Sequence, residues 1–325
     1  MIANYQSEED VSAATDAGLN PVIRWSQAGR GDIVKHRLAE STVFGIRPLA
    51  DGRLVIGAAD LVALLDAGGN GKWSQASEQA DFRGQVGRGD PGLALSRSGD
   101  IVDFGFEQDG RQRARFDLKA TRLDLEPGAG TGLAGPTLVA PGLTVSDWKN
   151  KYHPKVNGKA LELMEFERSR ALAIAPDEAR FVLGTEWWLR VYKADGKLLD
   201  KVEIPSIAWA VNITPDGRKV VAGFDDGTLR WYALSPKGKL SELLALYALP
   251  DGRWVLWTPS GYNQASAGAE HLIGWHVNNG ADAAPDFFSV SRFREQFYRP
   301  DVIARVLETG DEREALRLAD KARGE

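Results

Sequence analysis

Residues Trp209–Leu234 read WAVNITPDGRKVVAGFDDGTLRWYAL. Three short apolar runs, Trp209–Ile213, Lys219–Phe224 and Thr228–Leu234, are separated by Pro-Asp-Gly and Asp-Asp-Gly. Alternation with a period of two places side chains on opposite faces of a strand, so each run predicts a strand rather than a helix. Asp-Gly supplies the turn, because glycine adopts positive φ without steric cost. The segment therefore predicts an antiparallel meander.

The same grammar recurs in Phe44–Gly69, Gly92–Leu118, Ala171–Gly196 and Leu243–Gly261. The turn markers Asp51, Gly99, Asp177, Asp216 and Asp251 recur near the ~40–45 residues of a four-stranded propeller blade. The interval between Gly99 and Asp177 is close to double. It contains Glu126–Leu163, a Gly- and Pro-rich stretch that predicts a long loop with weak strands, or a degenerate blade. Near the start, Ala17–Ser26 (AGLNPVIRWS) is similar to Gly227–Leu234 and predicts the last strand of a first blade. The expected fold is all-β: a WD-repeat-like β-propeller over residues 1–288, with seven blades and six as the alternative.

The tail departs from this pattern. In Tyr298–Glu325, Val302, Ile303, Val306 and Leu307 fall on one helical face, and Ala315, Leu316, Leu318 and Ala319 on another. Asp311 and Glu314 stand at capping-box spacing. Two short helices split near Gly310 are expected within a helical extension over 289–325.

A formal charge of −5 gives no electrostatic reason to expect nucleic acid or an anionic membrane as partner. Cysteine is absent, which removes disulfides, thiolate metal sites and any cysteine nucleophile. The opening residues MIANYQSEED carry no signal-peptide pattern, and no apolar run approaches the ~18 residues of a membrane span. A cytoplasmic location is expected.

Several stretches have the look of chemistry. Trp257–Asn279 (WTPSGYNQASAGAEHLIGWHVNN) gathers Ser260, Ser266, His271 and His276. No Gly-x-Ser-x-Gly elbow surrounds either serine, and the histidines are five apart, a poor spacing for a helical metal pair. The stretch is expected to close the propeller and orient the tail. Gly130–Gly135 (GTGLAG) matches a dinucleotide fingerprint, but Pro136 and Pro141 follow where a helix is required. Asp225 and Asp226 in FDDGTLRW read as a hairpin turn. No catalytic residue, cofactor or metal is therefore assigned. Trp187, Trp188, Arg190 and Trp209 are the candidate protein-binding residues, since aromatic side chains and arginine anchor interfaces.

Ala140–Leu163, Ser169–Tyr192, Trp209–Tyr232, Trp257–Gly280 and Phe297–Leu316 together resemble the WD-repeat region of bacterial caspase-family proteins. In that family a propeller is joined to a caspase-like peptidase domain. The resemblance is strongest from Pro141 to Leu316; residues 1–140 resemble generic WD-repeat blades. The Gly-His and Trp-Asp dipeptides of standard repeats are missing, with Arg24-Trp25 and Arg230-Trp231 nearest to them. With no cysteine, the family's His/Cys dyad has no counterpart here. The resemblance implies a non-catalytic protein-interaction propeller: a sensor, scaffold or inhibitory module for a caspase-like protease, in the same polypeptide or as a separate chain. The alternatives are a propeller enzyme with a site at the channel mouth, or a plain assembly scaffold.

Overall fold

The structure is a computed structural model that describes residues 2–4, 20–25, 33–39, 43–58, 61–85, 92–280 and 286–324. It divides into two compact units, Met1–Glu78 and Gln79–Glu325. Both are built from antiparallel sheets, and the described α-helices lie at the C-terminal end.

In the first unit, Val43–Pro48, Leu54–Ala58, Leu61–Leu65 and Gly71–Ala76 form a four-stranded meander. A second sheet joins Ile2–Asn4, Asn20–Trp25 and Ile33–Ala39, with Asn20–Trp25 in the middle. The segment expected as a last strand is thus paired on both sides; Ala17–Leu19 and Ser26 lie outside the described residues. Val22, Val43, Leu54, Ile56, Ala63 and Leu65 form this unit's core.

The second unit holds two further four-stranded meanders. The first is Ala94–Leu95, Ile101–Glu107, Arg111–Asp117 and Arg122–Asp124, hereafter sheet B. The next, sheet C, is Ser169–Ile174, Arg180–Thr185, Trp188–Lys193 and Leu198–Glu203. Its first three strands are mostly buried and its fourth is largely exposed, the gradient of a blade running from inside to outside. Sheet D begins in the same way with Ala208–Ile213, Lys219–Phe224, Thr228–Leu234 and Leu240–Ala248. It then continues through Trp254–Trp257 and Asn263–Ala265. Leu243–Gly261, expected as a repeat unit of its own, instead extends sheet D, because Trp254–Trp257 pairs directly with Leu240–Ala248. Between B and C, Val145–Ser146, Lys155–Val156 and Lys159–Ala160 make a small sheet in the Gly- and Pro-rich stretch.

The turns explain why the repeats look alike. In Thr214–Lys219, Gly217 N–H donates to Thr214 O at 2.7 Å, and Asp216 Oδ1 accepts from Arg218 N and Thr214 Oγ1. The turns at Asp51 and Asp251 repeat the carboxylate-to-backbone bond and the glycine bond. Only the glycine takes positive φ, +83° at Gly52, +70° at Gly217 and +92° at Gly252. These are loops with a single left-handed residue, not type I′ two-residue hairpins, which need two. At Asp177 the same position is filled by Glu178 at φ +55°.

Side-chain alternation stacks the sheets. One face of sheet D carries Val211 and Ala208 against Gly184 of sheet C. The other face carries Asn212, Gly223 and Trp231. Asn212 Nδ2 donates to Leu93 O, Trp231 Nε1 donates to Gly99 O at 2.8 Å, and Gly223 lies under Phe82. Sheet D thus sits between C and B, although B precedes C in the chain. On the far side of sheet C, Leu172, Ile174, Phe181 and Leu183 pack with Leu143, Val145 and Val156 of the small sheet.

The tail is one turn of helix, α1 (Arg294–Phe297), then α2 (Pro300–Thr309) and α3 (Glu312–Arg323). Pro300 opens α2, where its missing N–H costs nothing, and Gly310 ends it at φ +66°. Asp311 caps α3 by accepting from Glu314 N at 3.0 Å. Val302, Ile303 and Val306 of α2 join the core shared by the three sheets. No described helix is long and apolar enough to cross a membrane.

Candidate protein-interaction surface

At one end of sheets C and D the loops 150–153, 164–170, 185–188 and 225–227 come together. Two carboxylates tie them. Glu167 is fully buried and accepts from Met164 N, from Thr185 Oγ1 and from both Arg190 Nε (2.9 Å) and Arg190 Nη2 (2.5 Å). Burial alone would raise its pKa, yet Arg190, Thr185 and the Met164 N–H outweigh that and hold it below the ordinary value. Glu186 accepts from Arg168 N and Arg170 Nη2. The Arg170 guanidinium lies 4.6 Å above the Trp209 ring, and Trp209 Nε1 donates to Asp225 Oδ1 at 2.7 Å. Burial raises the Asp225 pKa, and the Trp209 bond opposes it only in part.

Above this scaffold stand Tyr152, Met164, Phe166 and Trp187, each at least 40% exposed and Phe166 at 71%. Arg168 lies 4.8 Å over the Tyr152 ring. The Tyr152 loop is pinned to sheet C by Asn150 N donating to Ser169 O and Ser169 N to Lys151 O, both at 2.9 Å. Phe166 has φ +63°, a left-handed conformation that costs a bulky residue roughly 1–2 kcal/mol. The bonds to Glu167 on either side hold it there.

Of the four residues singled out from sequence, Trp187 lies on this surface. Trp188 is half-buried under Lys201, whose Nζ is 4.2 Å from the ring centre. Trp209 is half-buried beneath Arg170. Arg190 is only 3% exposed, so it braces the surface from below instead of lining it; the ion pair with Glu167 draws it inward. Sequence reasoning missed Tyr152, Met164 and Phe166. Their one legible sign is apolar residues set in the polar runs KNKYHPK and ELMEFERS.

Within Trp257–Asn279 no hydrogen bond among the described residues joins a serine to a histidine: Ser260, Ser266 and His271 each bond elsewhere. Ser266 Oγ accepts from Trp254 N and donates to Trp254 O, while His271 Nε2 sits 3.2 Å from Arg253 Nη1. Ser260 N–H and Oγ–H both donate to Glu312 at the start of α3. Asn263 O accepts from Arg299 N at 3.0 Å, and the Trp275 ring packs 4.5 Å from Phe297. These contacts orient the tail. In the Gly130–Gly135 run, Ala134 exchanges backbone bonds with Leu95 and no helix follows. No group of three metal-ligating side chains occurs among the described residues.

No family model and no curated protein matches the chain. Among solved structures it is similar to the Cps50 (Swd1) β-propeller domain of Myceliophteria thermophila, at 12% identity and TM-score 0.31 over 69% of this chain and 85% of that one. It is also similar to a functionally unknown protein from Desulfotomaculum acetoxidans, at 11% identity and TM-score 0.30 over 77% of this chain and 93% of that one.

Proposed function

We propose that the chain is a non-catalytic protein-interaction module of the β-propeller type, docking a partner on the Tyr152, Met164, Phe166 and Trp187 loops. The observation that carries this reading is Phe166, held exposed in a costly backbone conformation by a buried carboxylate. Exposed large apolar side chains on braced loops are what interface anchors require. The four-stranded meanders support taking the sheets as blades of one ring, and the repeat spacing supports seven of them.

For the partner we take a caspase-like protease, in the same polypeptide or as a separate chain. The support is the sequence resemblance over Pro141–Leu316, which spans the Tyr152 and Phe166 loops. The test is retention of a caspase-like protein encoded beside this chain on the immobilised full-length protein. Retention that falls at least about tenfold in Phe166→Ser/Trp187→Ser, the loss of anchor residues, is expected. No retention by the wild type overturns the partner. Undiminished retention by a folded double variant overturns the surface.

A further inference from the structure

The opposite end of sheet D holds a cavity of about 580 Å³, within the size range of small-molecule sites. Its walls are the Ser98–Asp100 turn and Leu118–Lys119 of sheet B, the Asp216–Lys219 turn of sheet D, and α2 from Ile303 onward. Lys219 is 7% exposed, and its Nζ donates to Ser98 O at 3.1 Å. Among the described residues it has no carboxylate within ion-pairing distance, and Ser98 O takes one of its three ammonium hydrogens, so the other two have no acceptor there. Arg218, exposed at the rim, likewise has no ion pair among the described residues.

The other charges in the wall are accounted for. Asp100 accepts from Ser96, Ser98 and Lys119, and those bonds hold it ionised against its burial. Asp216 Oδ1 is engaged by Thr214 Oγ1 and Arg218 N. Glu308 stands exposed on α2, near Lys119. Lys119, Arg218 and Lys219 are thus matched in number by Asp100, Asp216 and Glu308. Lys219 has no carboxylate in contact, so one added negative charge finds a partner, while a second would face Asp216 and Glu308 across a wall that is already balanced. Leu118, Ala233, Ile303, Ala304 and Leu307 supply the apolar part of the lining.

We infer that this cavity binds an organic monocarboxylate with an apolar body, its carboxylate on Lys219 Nζ and Arg218 and its body against Leu118, Ala233 and the Ile303–Leu307 face of α2. A buried ammonium without a counter-charge is costly, and a carboxylate supplies both charge and acceptors. The planar Arg218 fork suits two carboxylate oxygens. Burial already depresses the Lys219 pKa, with Asp216 opposing and Arg218 assisting.

Calorimetric titration of the full chain with sodium octanoate at neutral pH is the test, with octanol and inorganic phosphate as controls. Saturable one-to-one octanoate binding is expected, weakened about tenfold or more in Lys219→Met, as loss of a charge-assisted bond implies. Octanol, with the same body and no charge, is expected to bind at least about tenfold more weakly. Ala304→Phe fills the cavity from an exposed helix position and is expected to abolish binding with an unchanged melt, which keeps the test valid if Lys219→Met fails to fold. Absence of saturable octanoate binding, unchanged affinity in Ala304→Phe, or phosphate binding as tightly as octanoate overturns the inference.

Discussion

Arg190 and Lys219 are both buried cations, one in sheet C and one in sheet D, and they are housed in opposite ways. Arg190 meets Glu167 through two hydrogen bonds, and Glu167 is itself saturated by Thr185 and Met164 N. Lys219 has one backbone carbonyl and an open cavity. The first arrangement locks loops in place and leaves no group for a ligand. The second keeps a charge available. The two loop ends therefore differ in kind: one is a finished scaffold displaying apolar side chains, the other an unfinished polar site.

The largest expected effect breaks the finished end. Glu167→Ala strands the Arg190 charge and should cost about 3–5 kcal/mol in urea unfolding monitored by tryptophan fluorescence. A double variant, Glu167→Leu/Arg190→Met, should recover most of that loss; if it is worse than the single variant, packing rather than charge pairing holds these loops. Next in size is Trp209→Phe, which leaves Asp225 without its indole donor and should cost about 1–3 kcal/mol. At the unfinished end, Lys219→Met should change stability by less than about 1 kcal/mol, because no ion pair is lost. A loss as large as that of Glu167→Ala would end the contrast.

Titration should separate the two ends by sign. The folded Glu167 pKa lies below the ordinary 4.5. Its stabilisation is thus present above that value and is lost as pH falls through the folded one. The folded Lys219 pKa lies below 10.5, so between the two values the unfolded chain binds more protons. Stability from this group therefore rises with pH across that window. Urea midpoints of wild type minus Lys219→Met, followed from neutrality to about pH 11, should climb; a flat difference contradicts the burial of this lysine. The smallest effect concerns a turn. Glu178→Gly relieves a positive φ where the sister turns already use glycine, and should stabilise by about 0.5–1 kcal/mol.

Local structure was written plainly in the sequence, because alternation and Asp-Gly turns act over a few residues. The strands of Trp209–Leu234 and the cap at Asp311 are where those signals place them. Sheet membership was less legible. Leu243–Gly261 carries a repeat's grammar yet prolongs sheet D, since a strand's own pattern does not state which edge it joins. The candidate surface was legible only at Trp187. Arg190 reads as an anchor beside two tryptophans, and its partner Glu167 lies well upstream in a different loop, so no local pattern announces the pairing. Phe166 carries no sign of its backbone conformation, because positive φ is expected of glycine or asparagine and not of phenylalanine.

The bond from Trp231 to Gly99 has a consequence for biosynthesis. Sheet B is complete in the nascent chain at Asp124, but the face it packs on, which includes Trp254 against Phe116, is complete only when Trp257 has been added. At ~5–20 residues per second, the apolar side of sheet B would wait for about 7–27 s, the time that rate implies, before its cover exists. During that interval Leu93, Phe104 and Phe116 present an uncovered sticky surface to the cell. Translation speed across the second half of the message, and chaperones that shelter half-made sheets, would then set the yield of folded protein.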